Sequence, residues 1–340
     1  MTIIGSAPRG RTTITDVARA AGVSVATVSK VINGRDGVAA ATQERVMRIV
    51  TDLGYASSLV ATSMRRRRTH VIGVLVAEFE PFALQLLQGV SEALSGTNYD
   101  VLAYAGAVSH GSHHGWEARS LSRLGGTLID GAVVVTPTVE PPGSDMPIVS
   151  IDPHAGPAGP AVVDTDNLGG GREATAHLIG LGHSRIGYLR GRDDLESARL
   201  REEGYREALA SAGIDFDPSL VVTGEFQQAE AAVGASALLD LANPPTAIFA
   251  SNDVSAIEVI RVANERGVRV PTDLSVVGFD DIPAAAAASP PLTTVRQPLI
   301  DMGRAAVELL VRLIEDDTGA EHVRLPSQLV VRASTAARRG

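Results

Sequence analysis

Apolar positions along the chain change their spacing once, near residue 70, and the change separates two kinds of structure. From Thr13 to Gly54 they recur at helical intervals. Thr13-Ile14-Thr15-Asp16 has the pattern of a capping box, and Val17, Ala18 and Ala21 form an apolar stripe behind it, which predicts a helix from Ile14 to Ala21. Gly22-Val23 makes a tight turn, Ser24 caps a second helix from Val25 to Ile32, and Asn33-Gly34 closes it. Two short helices around one glycine read as helix-turn-helix. A third helix, about Ala40 to Leu53, brings Val46, Ile49, Val50 and Leu53 over the first two.

Beyond His70 the pattern becomes continuous apolar runs alternating with amphipathic stretches. Val71 to Val76 reads as a buried parallel strand, followed by a helix from Phe82 to Leu94 and another apolar run from Asp100 to Ala105. Further strands are predicted at Gly131–Thr136, Ile148–Ile151, Arg185–Leu189, Leu220–Gly224, Ala247–Ala250 and Leu274–Phe279. This is βαβ repetition, which implies doubly wound parallel sheets with ligands at the C-terminal strand ends.

Charge adds a direction to this division. The net charge is −9, yet residues 1 to 70 carry +7 and the remainder −16, as expected when one end of a protein meets a polyanion. In a helix-turn-helix the second helix enters the major groove. Val25 and Ala26 lie at its start and can read only thymine methyls or shape, whereas Lys30 reaches guanine O6 and N7; Ser24, Thr27 and Asn33 suit phosphates. A chain of 340 residues has material for two or more domains. With no cysteine it can hold neither disulfide nor thiolate metal site, and a reducing cytoplasm is the expected compartment. No apolar run reaches membrane-spanning length and the N-terminus has no long apolar signal segment, so no membrane association is expected.

The stretch TITDVARAAGVSVATVSKVING closely resembles the opening of the LacI/GalR family of bacterial repressors, and the likeness continues through nearly the whole chain. The resemblance implies an N-terminal all-α helix-turn-helix domain at 1–56, with Thr13 among its DNA contacts. A hinge helix and linker would follow at 57–70, and a two-lobed α/β effector-binding and dimerisation domain of the periplasmic-binding-protein shape at 71–340. Its lobes would comprise about 71–165 with 297–322, and 166–296 with 323–340. In the hinge stretch SSLVATSMRR, Ala61 and Met64 fall at DNA-contacting positions, Met64 as an apolar wedge where the family has leucine, and Ser57-Ser58 replace the usual Pro-Asn. A helix this short is marginal in water, so it is expected to fold only on DNA.

The same resemblance places a small-molecule effector between the lobes. Ser197 and Arg201 match the family's arginine-bearing loop, Asn252 and Asp280 fall at strand ends, Phe226 takes the place of an aromatic platform, and Asp152, Thr165 and Gln297 are further matches. An arginine fork, a carboxylate, an amide and a ring suit a sugar, and would also suit a nucleoside. Arg201 also fits a surface helix charge and Phe226 a core position. Taken together, these features describe a dimeric repressor of a near-palindromic operator; a solute-binding receptor sharing the body fold is the alternative, without the helix-turn-helix. No cofactor and no catalytic residue are expected: Gly169-Gly170-Gly171 lacks the lysine and spacing of a P-loop, and His110, His113 and His114 lack an obvious further metal ligand.

Overall fold

A computed structural model describes residues 12–32, 36–53, 68–106, 115–139, 146–154, 161–316 and 321–338. The chain divides into two units, residues 1–69 and 70–340.

In the first unit, helices α1 (Ile14–Ala21), α2 (Val25–Ile32) and α3 (Ala40–Asp52) enclose a small core of Val17, Ala18, Ala21, Val28, Val31 and Val46. The capping box closes as its sequence pattern requires, with the Thr13 amide donating to Asp16 and the Asp16 amide to the Thr13 hydroxyl. Gly22 ends α1 at φ 63°, where a side chain would be strained. Ile49 and Val50 pack on this core, but Leu53 does not: it is exposed, just past the last turn of α3, and its carbonyl accepts from Thr12. The proposed hinge, with Ala61 and Met64, and the cap residue Asn33 lie outside the described residues.

The second unit holds two six-stranded sheets. The first is wholly parallel, in the order β11-β5-β4-β3-β1-β2, from β1 (Val71–Val76), β2 (Asp100–Ala105), β3 (Gly131–Val135), β4 (Ile148–Ile151), β5 (Ala161–Thr165) and β11 (Glu321–Leu325). Helices α4 (Pro81–Leu94), α5 (Trp116–Leu124) and α11 (Leu299–Asp316) belong to this lobe. The second sheet runs β12-β10-β9-β8-β6-β7, from β6 (Ile186–Arg190), β7 (Val221–Thr223), β8 (Ala247–Ala250), β9 (Ser275–Asp280), β10 (Thr293–Arg296) and the antiparallel β12 (Gln328–Val330). Its helices are α6 (Asn167–Gly180), α7 (Glu196–Ser211), α8 (Gln228–Leu239), α9 (Asp253–Glu265) and α10 (Pro283–Ala287).

The chain passes between the sheets after β5, after β10 and after β11. The last passage corrects the expected boundary near residue 322. His322, Val323, Arg324 and Leu325 continue in register beside β5, because the edge strand completes its parallel ladder before the chain leaves.

Pairs of glycines set how closely the helices of each lobe approach. A Cβ at Gly171 would lie 2.4 Å from the Arg201 carbonyl oxygen, and one at Gly204 2.3 Å from that of Leu168, so α6 and α7 meet backbone to backbone. Gly89 and Gly303 do the same for α4 and α11. Gly170 lies against Phe279, so two members of the Gly169-Gly170-Gly171 run serve packing. Gly171→Ala is therefore expected to force α6 and α7 apart and cost about 1–3 kcal/mol. Gly180→Ala, at the open end of the same helix, should instead stabilise by up to about 1 kcal/mol. Thermal unfolding of the two variants checks this; equal midpoints would show that the close approach is not a constraint.

Candidate functional site

Two surfaces carry the expected chemistry. On the first unit, Val28 and Val31 anchor α2 in the core, which turns its other face outward: Val25, Ala26 and Lys30 are exposed. Ser24 fixes the start of this helix, accepting from the Thr27 amide at 3.1 Å, while the two hydroxyls share a hydrogen bond at 2.9 Å. Thr13 is likewise committed, as the cap of α1. The outward face is thus small and apolar at its N-terminal end and cationic one turn later, a shape able to enter a DNA groove.

In the second unit a cavity opens between the lobes. Strand ends from both sheets build it: Ala77, Glu78 and Glu80 follow β1, Thr136 follows β3, and Asp152 and His154 follow β4. From the facing lobe come Arg192 after β6, Glu225 and Phe226 after β7, Asn252 after β8, and Asp280 as the last residue of β9. Parallel strands in both sheets point their C-terminal ends at one space, the usual location of ligands in open α/β sheets. Seven non-glycine residues have positive φ among the described residues, and five of them, Thr136, Asp152, Glu225, Phe226 and Asp280, line this cavity. Backbone held in such conformations clusters at ligand sites, where the surrounding structure maintains it.

Arg201 is the most constrained side chain in the wall. Only 3% exposed, it donates from Nε to Asn167 Oδ1 at 2.9 Å and from Nη1 to the Ser251 carbonyl at 2.6 Å, and it stacks 3.8 Å above the Phe279 ring. Its Nη1 also lies 3.5 Å from Asp280 Oδ1. The matched segment from Ser197 to Arg201 is the opening of helix α7 rather than a loop, so the guanidinium projects from a rigid element. Asn252 caps α9 by accepting from the Ser255 amide, and its Nδ2 donates to the Phe226 carbonyl. Phe226 rests on Gly191, where a Cβ would come within 2.1 Å of the ring.

Burial sets the protonation of the wall. It pushes the Asp152 carboxyl up to about 7, against the pull of Arg201. Asp280 is also raised by burial, with Arg201 and the Gln297 amide opposing. Near the cavity mouth, loss of surrounding water raises Glu80 to about 7, and Asp280 and Glu78 add to this. His154 is lowered to about 4 by burial and is neutral at ordinary pH.

Of the effector residues expected from the sequence, Asp152, Ser197, Arg201, Phe226, Asn252 and Asp280 share this cavity. Thr165 and Gln297 do not line it. Thr165 donates to the Leu325 carbonyl at a lobe crossing, and Gln297, at another crossing, donates from Nε2 to Asp280 at 2.7 Å, so it stands behind the wall. Both were matched through neighbouring sequence, which does not reveal which side of a crossing a side chain takes. Missed were Glu80, Phe82, Trp116, His154 and Arg192, which also line the cavity. The strand-end rule applied to the first lobe would have found Glu80 and His154; nothing in the local pattern marks Trp116.

Comparison with known proteins agrees with this anatomy. Residues 13–58 match the model for bacterial regulatory proteins of the lacI family, and residues 175–335 match the periplasmic binding protein-like domain. The chain is 37% identical to the HTH-type transcriptional regulator CelR of Thermobifida fusca, over 96% of this chain and 99% of that one. It resembles the solved transcriptional regulator CelR-cellobiose complex, at 35% identity and TM-score 0.69 over 95% of this chain and all of the other. It also resembles the Lac repressor dimer bound to operator and the anti-inducer ONPF, at 26% identity and TM-score 0.80 over 96% of this chain and all of the other. The chain belongs to the lacI family of bacterial regulatory proteins and is a DNA-binding transcriptional regulator.

Proposed function

We propose that the inter-lobe cavity binds a sugar and that its occupancy sets the affinity of the helix-turn-helix for operator DNA, the protein acting as a dimeric repressor in the cytoplasm. The observation that carries this reading is the convergence of Arg201, Asp280, Asn252 and Phe226 on one cavity at the strand ends. A guanidinium and a carboxylate grip hydroxyls while a ring covers an apolar sugar face. That a 35% identical neighbour is a cellobiose complex supports the class. A cavity between lobes joined by three crossings can couple ligand contacts to lobe movement. Thr13, Ser24, Val25, Ala26, Thr27, Lys30 and Asn33, with Ala61 and Met64 of the hinge, are the proposed DNA contacts. Phe79 and Leu84, apolar and more than half exposed, lie just before and on α4, which supports that helix as a face for the second copy; residues 281–288 would be the other face.

A thermal-shift screen of mono- and disaccharides and nucleosides tests the effector reading, since a ligand at about a hundred times its Kd stabilises by about 2.7 kcal/mol. Because Arg201 also ties the wall together, Phe226→Ala is the cleaner probe. It is expected to weaken sugar binding about tenfold or more while leaving operator affinity without sugar unchanged; unaltered sugar affinity would remove Phe226 from the site. Met64→Ala should weaken specific operator binding more than nonspecific binding, and equal losses on the two DNAs would make the hinge a passive linker.

Acidity gives a further check. Asp152 titrates near 7 in the folded protein and near 3.8 unfolded, so the folded state binds the extra proton. Its stabilising contribution is complete below about pH 4 and is lost as pH rises through about 7. Asp152→Asn should therefore raise the unfolding midpoint more at about pH 8 than at about pH 5 in the ligand-free protein. A variant that shifts both midpoints equally would contradict the assignment.

A further inference from the structure

The charge on the cavity wall selects among carbohydrates, provided the cavity is the effector site proposed above. Five carboxylates line it against two guanidiniums. Both cations already have partners within the protein. Arg192 holds Asp194 through two hydrogen bonds, Nε to Oδ1 at 3.0 Å and Nη2 to Oδ2 at 2.6 Å. Arg201 is committed to Asn167, to the Ser251 carbonyl and to Asp280. Glu78, Glu80, Asp152 and Glu225 form no ion pair among the described residues, although Arg192 pulls on Glu80 and Arg201 on Asp152 from a distance. His154 adds no positive charge.

An anionic ligand would therefore meet Glu78 and Glu225, with Asp152 and Glu80 ionising as pH rises through about 7, and no cation without a carboxylate beside it. A neutral polyol meets the same oxygens as hydrogen-bond acceptors. We infer that the effector is an uncharged carbohydrate, and that the phosphorylated and carboxylic acid forms of the same sugar are rejected because of the sign of their charge. Its supply is then a reaction that yields free sugar, such as hydrolysis of a glycoside. A kinase that moves the terminal phosphoryl group of a nucleoside triphosphate onto a sugar hydroxyl, releasing the nucleoside diphosphate and the hydroxyl proton, would extinguish the signal.

The test uses matched sets on the intact protein: glucose with glucosamine, glucuronate and glucose 6-phosphate; cellobiose with cellobionate; adenosine with its 5′-monophosphate. Trp116 is the single tryptophan of the chain and stands in the cavity wall, so its fluorescence reports occupancy directly, with calorimetry alongside. The neutral member of a set should bind about tenfold or more tightly than its anionic partner, and the amine at least as tightly as the neutral sugar. Glu80→Gln combined with Glu225→Gln should narrow the neutral-to-anion ratio, whereas Glu308→Gln, on an exposed part of α11, should leave it unchanged. Tighter binding of a phosphate or acid would overturn the inference while leaving the site reading intact. Equal rejection of amine and anion would overturn it too, since the barrier would then be charge itself and not its sign. Binding of adenosine but of no sugar would overturn the carbohydrate class, and no response to any set would overturn the site reading on which the inference rests.

Discussion

A guanidinium cannot be removed from water without replacement partners, and the second lobe is organised around meeting that demand for Arg201. Its nitrogens reach the start of α6 through Asn167, the end of β8 through the Ser251 carbonyl, and the end of β9 through Asp280, while Phe279 covers its face. These are three separate segments of the second lobe, since Phe279 and Asp280 both belong to β9. One buried charge thus joins the start of one helix to the ends of two strands. Gln297 extends the arrangement to a lobe crossing by holding Asp280. Asn167 extends it to another, since its Nδ2 lies 3.4 Å from the Thr165 carbonyl.

Close helix packing makes this placement possible. Arg201 sits where α7 touches α6 through Gly171, so the depth of its side chain in the wall is governed by a contact between two backbones. Two neighbouring segments share the constraint. Asp253, fully buried at the start of α9, accepts from the Ile282 amide and from Thr294, and so holds the Asp280-Asp281 turn at positive φ. Asp281 in turn pairs with Arg296 and Arg332. The strain at the wall is maintained by ionic contacts that lie outside it.

The helix-turn-helix was almost fully legible in the sequence, because a capping box, a glycine turn and three apolar stripes are local signals. The parallel strands were legible for a similar reason: strands buried on both faces leave unbroken apolar runs. What escaped were elements without such runs. β11, EHVRL, lies at a sheet edge with mixed exposure, and β12 is only three residues long, so neither carries a periodicity that distinguishes it from loop. β5, AVVDT, is fully buried but short and follows a stretch rich in glycine and proline. The wall divided in the same way. Residues next to strong strands were found, whereas Trp116 enters from a helix start, and Thr165 and Gln297 face away at crossings. Which face a crossing residue presents depends on contacts between distant segments, and no local pattern encodes it.

Strand order also carries a consequence for synthesis. The first sheet needs residues as far apart as Val71 and Leu325, and the second is closed by β12, which ends at Val330. Neither lobe can complete its hydrogen-bonded ladder until the chain through Leu325 and Val330, respectively, has left the ribosome. The core of the first unit, by contrast, spans only Val17 to Val46 and can consolidate while most of the body is still untranslated. A message truncated before the codon for Glu321 would consequently yield a molecule whose helix-turn-helix is formed and whose two sheets both lack an edge.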